Sequence, residues 1–244
     1  IDYKAGGMSF IDTYRGFTGQ FANGNVKNVG NGIKVGNIYS DWTNGAVKET
    51  GQAGNLAFNG DGFFHVQGSD GGTYFTRAGE FNLVEVAATP DTYTLMRPDG
   101  SQLMGTDGAA PPTAPTTALM VFGAFPASWA IASDGTVSAV DGSGNAIAVT
   151  NGIVSAVVAS NMDALVREDN GLYSNITGDA GVTFGRPDGP RGIGGVIQGA
   201  LEMSIVDLVN EVTDLVLTQR AYSANSKTIT TASDMLQEVL QLKR

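Results

Sequence analysis

The stretch IVDLVNEVTDLVLTQRAYSANSKTITTASDMLQEVLQL, residues 205–242, decides how the rest of this chain is read. It contains neither proline nor glycine, so no residue in it breaks a helix. One position recurs every seven residues as Leu208, Leu215, Tyr222, Ile229 and Leu236. A companion position reads Ile205, Val212, Gln219, Ser226, Ser233 and Leu240. The first seam stays apolar throughout, the second only at its ends. A sustained seven-residue period predicts a long, coiled-coil-like helix that needs a partner helix along its length. At about 1.5 Å per residue, roughly 38 residues span about 57 Å, more than a small β domain covers. The small and polar middle of the second seam suits packing among several helices better than a two-stranded coil. Ser204 followed by Asp207 reads as a capping box with Asp in place of the usual Glu. Asp207, Glu211 and Asp214 lie early, with basic residues only at Arg220, Lys227 and the end, which argues against a membrane-surface helix.

Upstream the texture is different. Ile33–Tyr39, Asn55–Phe58, Phe63–Gln67, Thr73–Arg77 and Tyr93–Met96 are short runs rich in β-branched and aromatic residues, which predicts strands. Leu119–Phe122, Ile153–Val158 and Val196–Leu201 follow in the same style. Asp-Gly recurs at Asp61, Asp70, Asp99, Asp107, Asp134, Asp141 and Asp188. Each pair supplies the positive φ of a tight hairpin turn, and Asn44-Gly45 reads as a further turn. Ala109–Thr117, rich in Pro and Thr, reads as a loop. The expected fold is therefore mainly β: an antiparallel domain of short strands plus the terminal helix. The expected organisation is an extended segment over 1–50, a β-rich domain over 51–200 that divides in two if the loop near 109–117 is a boundary, and an assembly helix over 201–244.

Composition excludes several function classes. The 244 residues carry 24 acidic and only 14 basic side chains, a formal charge of -10, so a basic footprint for nucleic acid or anionic lipid is absent. There is no cysteine, hence no disulfide framework, thiolate metal site or cysteine nucleophile. No apolar run reaches the ~18–20 residues of a membrane span. The chain begins at Ile1 rather than Met, so the expectation is an incomplete chain in which a missing leader carries little weight.

A catalytic reading finds little to stand on. His65 is the single histidine, and a triad or zinc site would need partners that the sequence does not supply. Gly60-Asp61-Gly62 reads as a turn, because the acidic spacing of a calcium loop is absent and no helix follows to present its amides to phosphate. Asp61 and Glu80 are the pair a glycosidase would use. They carry the alternative of a secreted β-rich glycan-binding or hydrolytic protein.

Several motifs resemble one family. Leu201–Glu211 looks like the start of the C-terminal helix of bacterial flagellar hook and rod (axial) proteins. Thr218-Gln219-Arg220-Ala221-Tyr222-Ser223-Ala224-Asn225-Ser226-Lys227 is similar to that family's signature, and Thr230–Gln237 continues it. Internally, Leu56–Phe64 resembles its apolar strand, Gly-Asp-Gly turn and paired phenylalanines, followed by Tyr74–Phe81. The ending Ser226–Thr231 through Leu240–Arg244 is more similar to a hook protein than to a distal-rod protein. The chain is short for a hook protein, which leaves the rod reading open.

The resemblance implies a non-enzymatic structural subunit, without cofactor or metal, that self-assembles into a helical tube linking rod to filament and transmitting torque. Its implied partners are copies of itself, other axial proteins (rod, hook cap, hook–filament junction) and the type III export apparatus through which such subunits pass unfolded, with no nucleic acid and no membrane insertion. The implied location is the flagellum: the extracellular hook or the periplasmic basal-body rod. Family members begin with an apolar helix and a Gly-(Phe/Tyr)-Lys junction. Tyr3-Lys4 matches the tail of that junction, so the N-terminal partner helix is expected to be missing here.

The implied assembly interface lies on the helix. Ile205, Leu208, Val212, Leu215, Ile229, Leu236 and Leu240 are its apolar seam residues, with Gln219 in the second seam. Tyr222 sits on the first seam, where burial is the expectation. Arg220 and Asn225 lie off it and are candidates for hydrogen bonds between subunits.

Overall fold

The computed structural model describes residues 4, 6–12, 16–20, 26–29, 33–86, 91–107, 119–175, 178 and 180–242. Two compact units make up the chain, Ile1–Ile205 and Val206–Arg244. The fold is mainly antiparallel β with one C-terminal α-helix among the described residues.

The β unit is organised around Phe63–Gln67. This strand pairs with Thr73–Thr76 along one edge, and with Gln102–Leu103 and Ala156–Ala159 along the other. Tyr93–Met96, with Asn82–Glu85 and Val121–Phe122 beside it, extends the same eleven-stranded sheet. The central strand is buried on both faces, which explains why it reads as a continuous apolar run rather than an alternation. Its side chains still obey the two-residue period. Phe64 and Val66 enter the larger core with Leu56, Leu95, Leu103 and Phe122. Phe63 points into a second core with Phe75, Val157, Leu165 and Tyr173. Phe64 packs at a tilt against Phe58, 4.4 Å between ring centroids, and edge-to-face against Phe81 at 5.5 Å.

Three of the Asp-Gly pairs form one repeated turn. At Asp70, Asp99 and Asp134 the carboxylate accepts the amide of the residue two positions on, from Gly72, Ser101 and Thr136. The glycine that follows takes φ of +80°, +88° and +82° at Gly71, Gly100 and Gly135. This is a type I turn ending in a left-handed residue. The Thr136 amide, first among several bonds, holds the Asp134 carboxyl below its usual range, and the Tyr74 hydroxyl does so for Asp70. The other pairs depart from the expectation. At Asp141 the positive φ falls on Gly144, and at Asp188 it falls on the aspartate itself. Asp61-Gly62 forms a bend with φ +148° at Gly62. Gly108 and the expected loop over 109–117 lie outside the described residues.

Asn44-Gly45 is not a hairpin turn. It lies in the irregular stretch 41–46, where Gly45 passes against the Met203 carbonyl so closely that any side chain would collide. That contact belongs to a larger feature: the two ends of the β unit meet. Val47–Glu49 pairs with Ala200–Glu202, and Leu56–Asn59 with Gly195–Gln198. The expected last strand, Val196–Leu201, is thus two strands, broken at Gly199 with φ +75°.

The helix runs Leu208–Leu242, 35 residues. It starts later than the resemblance implied, because Leu201 and Glu202 are committed to the ladder with Val47–Glu49. The cap moves with it. Asp207, not Ser204, accepts the Val209 amide at 2.9 Å, and its backbone carbonyl takes the Glu211 amide. A coiled coil needs a second helix, and the described residues provide one alone. What stands is a single helix carrying an apolar stripe.

Candidate assembly site

The stripe can be followed residue by residue. Leu208, Val212, Leu215 and Gln219 share one strip of helix surface with Glu211, Asp214 and Thr218, as spacings of three and four residues require. Leu208 is 73 % exposed, Val212 52 % and Leu215 56 %. Val209, Val216 and Leu217 are exposed as well. Gln219 and Arg220 are exposed. Tyr222, for which burial was expected, is 75 % exposed in the single chain. Ile205 lies outside the helix, half-buried in the connection that leads to it. Asn225, Ile229, Leu236 and Leu240 are helical, and their side chains lie outside the described residues. Solvent-facing Leu, Val and Tyr at this density on one helix form an exposed apolar surface, a feature of the kind that marks interaction sites.

At the root of the connection is a buried ionic node that the sequence did not disclose. Glu202, at the end of its strand, receives Lys4 Nζ on Oε1 at 2.8 Å and Arg77 Nη1 on Oε2 at 3.1 Å. The Gly45 amide donates to the same Oε1 at 2.8 Å. Arg77 also donates from Nε to the Gly62 carbonyl at 2.9 Å, from Nη2 to the Gly60 carbonyl at 2.7 Å, and from Nη1 to Asn44 Oδ1. Lys4 donates to the Thr43 carbonyl at 2.7 Å. All three charged side chains are buried. Each lies in a motif that the resemblance used, yet Lys4 and Glu202 are separated by 198 positions and Arg77 and Glu202 by 125.

The catalytic alternative gains no geometry. Asp61 is exposed and accepts from Asn44 Nδ2 at 3.2 Å, while Glu80 sits in a β-bridge opposite Asn55. A cleft of about 230 Å³ elsewhere in the β unit is lined by Asp70, Asp99, Glu168 and Asp169. Asp70 there is engaged by the Tyr74 hydroxyl, Asp99 by Arg97 and Glu168 by the Ser174 hydroxyl. His65 is 1 % exposed, with Nδ1 3.0 Å from Ser155 Oγ and its ring against Phe184 and Phe75. Burial pushes its pKa down to about 4, and its Nε2 has no hydrogen-bond partner among the described residues. Among the described residues no group of three or more His, Asp or Glu is placed to hold a metal ion. No described helix is long and apolar enough to cross a membrane.

Comparison with known proteins matches two families. Residues 57–139 match "Flagellar hook protein FlgE/F/G D1 domain", and residues 197–242 match "Flagellar basal body rod FlgEFG protein C-terminal". The flagellar basal-body rod protein FlgG of Bacillus subtilis is 35% identical over 90% of this chain and 76% of its own length. FlgG of Agrobacterium fabrum is 34% identical over 85% and 71%. The flagellar hook protein FlgE of Caulobacter vibrioides is 41% identical, over 45% of this chain and 18% of its own.

Proposed function

The chain belongs to the family of flagellar hook and basal-body rod proteins, and on that premise we propose that it is a rod-type subunit of the flagellar axis. Its place is the bacterial flagellum and its family is one of structural proteins. The observation that carries the rod reading is coverage. Similarity to rod proteins runs through nearly the whole chain and about three quarters of theirs, whereas similarity to hook proteins is confined to a small fraction of their length. The ending alone had favoured the hook.

In this reading the role is structural rather than catalytic. Subunits join through the helix, using Leu208, Val212, Leu215 and Tyr222 on the exposed stripe, with Arg220 and Asn225 supplying polar contacts. Ile229, Leu236 and Leu240 continue the stripe. Ile205 packs at its root and Gln219 within it. The partners are copies of itself and neighbouring axial proteins. A repeated contact that does not close on itself generates a helical tube.

The hook reading has one observation in its favour: stretches of hook proteins from Borreliella burgdorferi and Treponema pallidum are 49% and 43% identical to this chain over 55 and 77 residues. Isolated basal bodies from a strain lacking the gene separate the two. A rod subunit's loss leaves basal bodies with a truncated rod and no hook. A complete rod with nothing beyond it would overturn the rod reading in favour of the hook.

A further inference from the structure

We propose that Glu202, Arg77 and Lys4 form a latch that ties the segment entering the β unit to the segment leaving it for the helix. Three features of the node support this. Arg77 is held by its own neighbourhood: two turn carbonyls, from Gly60 and Gly62, and the Asn44 side chain take its donors. The guanidinium is therefore aimed before the distant chain end arrives, which is the use to which a planar, five-donor fork is suited. Glu202 then closes on it, and also takes the Gly45 amide and Lys4. Next to it the Met203 amide donates to the Ala46 carbonyl at 2.9 Å, so the exit to the helix is fastened within one residue of the carboxylate.

The charges are unequal: two cations face one carboxylate. Removing the carboxylate leaves two buried cations without their direct counter-ion, with Asp41 as the remaining acidic neighbour that interacts with Lys4, whereas removing Lys4 leaves a balanced pair. The latch thus predicts an order of effects that generic core packing does not. Arg77, Glu202 and Lys4 are positioning residues: they hold the strand end from which the chain leaves for the helix. The assembly arm of the test rests on the axial-subunit reading; the exchange arm does not.

Hydrogen exchange on the chain, wild type against Lys4→Met and Glu202→Gln, reads the latch directly. The Gly45 and Met203 amides should exchange roughly tenfold faster in K4M and roughly a hundredfold faster in E202Q, while the Phe63–Gln67 ladder keeps its protection. Uniform acceleration across the β unit, unchanged protection at Gly45 and Met203, or equal effects of the two variants would overturn the proposal. K4M keeps the test open if E202Q fails to fold. Motility of cells carrying K4M in the intact gene should fall at least severalfold although the subunit is folded. Local loosening with normal motility would refute the latch's part in assembly. Wild-type protein absent from isolated basal bodies would instead refute the axial reading and leave the exchange result standing.

Discussion

Replacing both Leu208 and Leu215 with Asp separates the helix surface from the β unit. In the single chain these side chains are 73 % and 56 % exposed, so the monomer loses little. Substitutions on such a surface change stability by about 0.5 kcal/mol or less, and a carboxylate at Leu208, the first helical residue, is favoured by the helix dipole. The proposed axial assembly loses a great deal. Fully burying a leucine contributes about 1.5–3 kcal/mol. Scaled by the exposed fractions, the pair stands to contribute about 2–4 kcal/mol per subunit when partners cover it. Two carboxylates desolvated in their place add a further penalty of several kcal/mol. A total above about 4 kcal/mol weakens subunit addition by roughly a thousandfold or more. Thermal melting and circular dichroism should place the L208D/L215D monomer within about 4 °C of wild type. Electron microscopy of isolated basal bodies should show the axial structure ending where this subunit begins. Normal axial assembly by the variant would refute the assignment of this face. So would a collapse of the β unit, which would mean that the helix is part of its core.

Three further outcomes follow from named contacts. Because His65 is neutral and buried, with a pKa of about 4 against 6.5 unfolded, the unfolded chain takes up the proton first. Stability is therefore intact above pH 6.5 and falls by about 3 kcal/mol as pH drops toward 4; urea melts at stepped pH should show this slope in wild type and lose it in His65→Gln. Phe64→Ala opens a cavity between Phe58 and Phe81 and should lower the unfolding free energy by about 3–5 kcal/mol in urea titration, an unchanged midpoint counting against the tight core described. Asp207→Ala removes the acceptor of the Val209 amide and should destabilise the helix by about 1 kcal/mol, read as lower ellipticity at 222 nm in dilute monomer with no change in the β-unit melting point.

What could be read from the sequence was what is local. Asp70-Gly71, Asp99-Gly100 and Asp134-Gly135 specify their turns within a few residues, since the carboxylate caps an amide two positions on and the glycine takes the positive φ. Phe63–Gln67 declares itself by its run of aromatic and β-branched side chains. The helix was legible from its seven-residue period, but its start was not. Leu201 and Glu202 fit a helical pattern as well as an extended one, and what assigns them to a strand is Val47–Glu49, some 150 positions away. Tertiary pairing overrides local preference there. The ionic node was illegible for the same reason. Nothing near Lys4, Arg77 or Glu202 says that three remote charges converge, although each motif that holds one was visible.

The two units differ in what completes them. The β unit closes its own cores, buries both faces of its central strand and folds its ends together through the node. Its stability is a property of one chain. The helix has 35 residues, and its described apolar side chains from Leu208 to Tyr222 are exposed. A helix owes most of its stability in a protein to packing of such a stripe, so on the proposed interface this one reaches full order when subunits supply the packing. A subunit built in this way separates folding from assembly. In the reading proposed above, the β unit is finished before the axial structure forms, and the helix holds in reserve the surface that its growth consumes. Closing the same stripe within the monomer would remove the driving force for polymerisation. The formal charge of -10, with Asp207, Glu211 and Asp214 at the head of the helix, opposes disordered aggregation of a chain that exposes such a stripe.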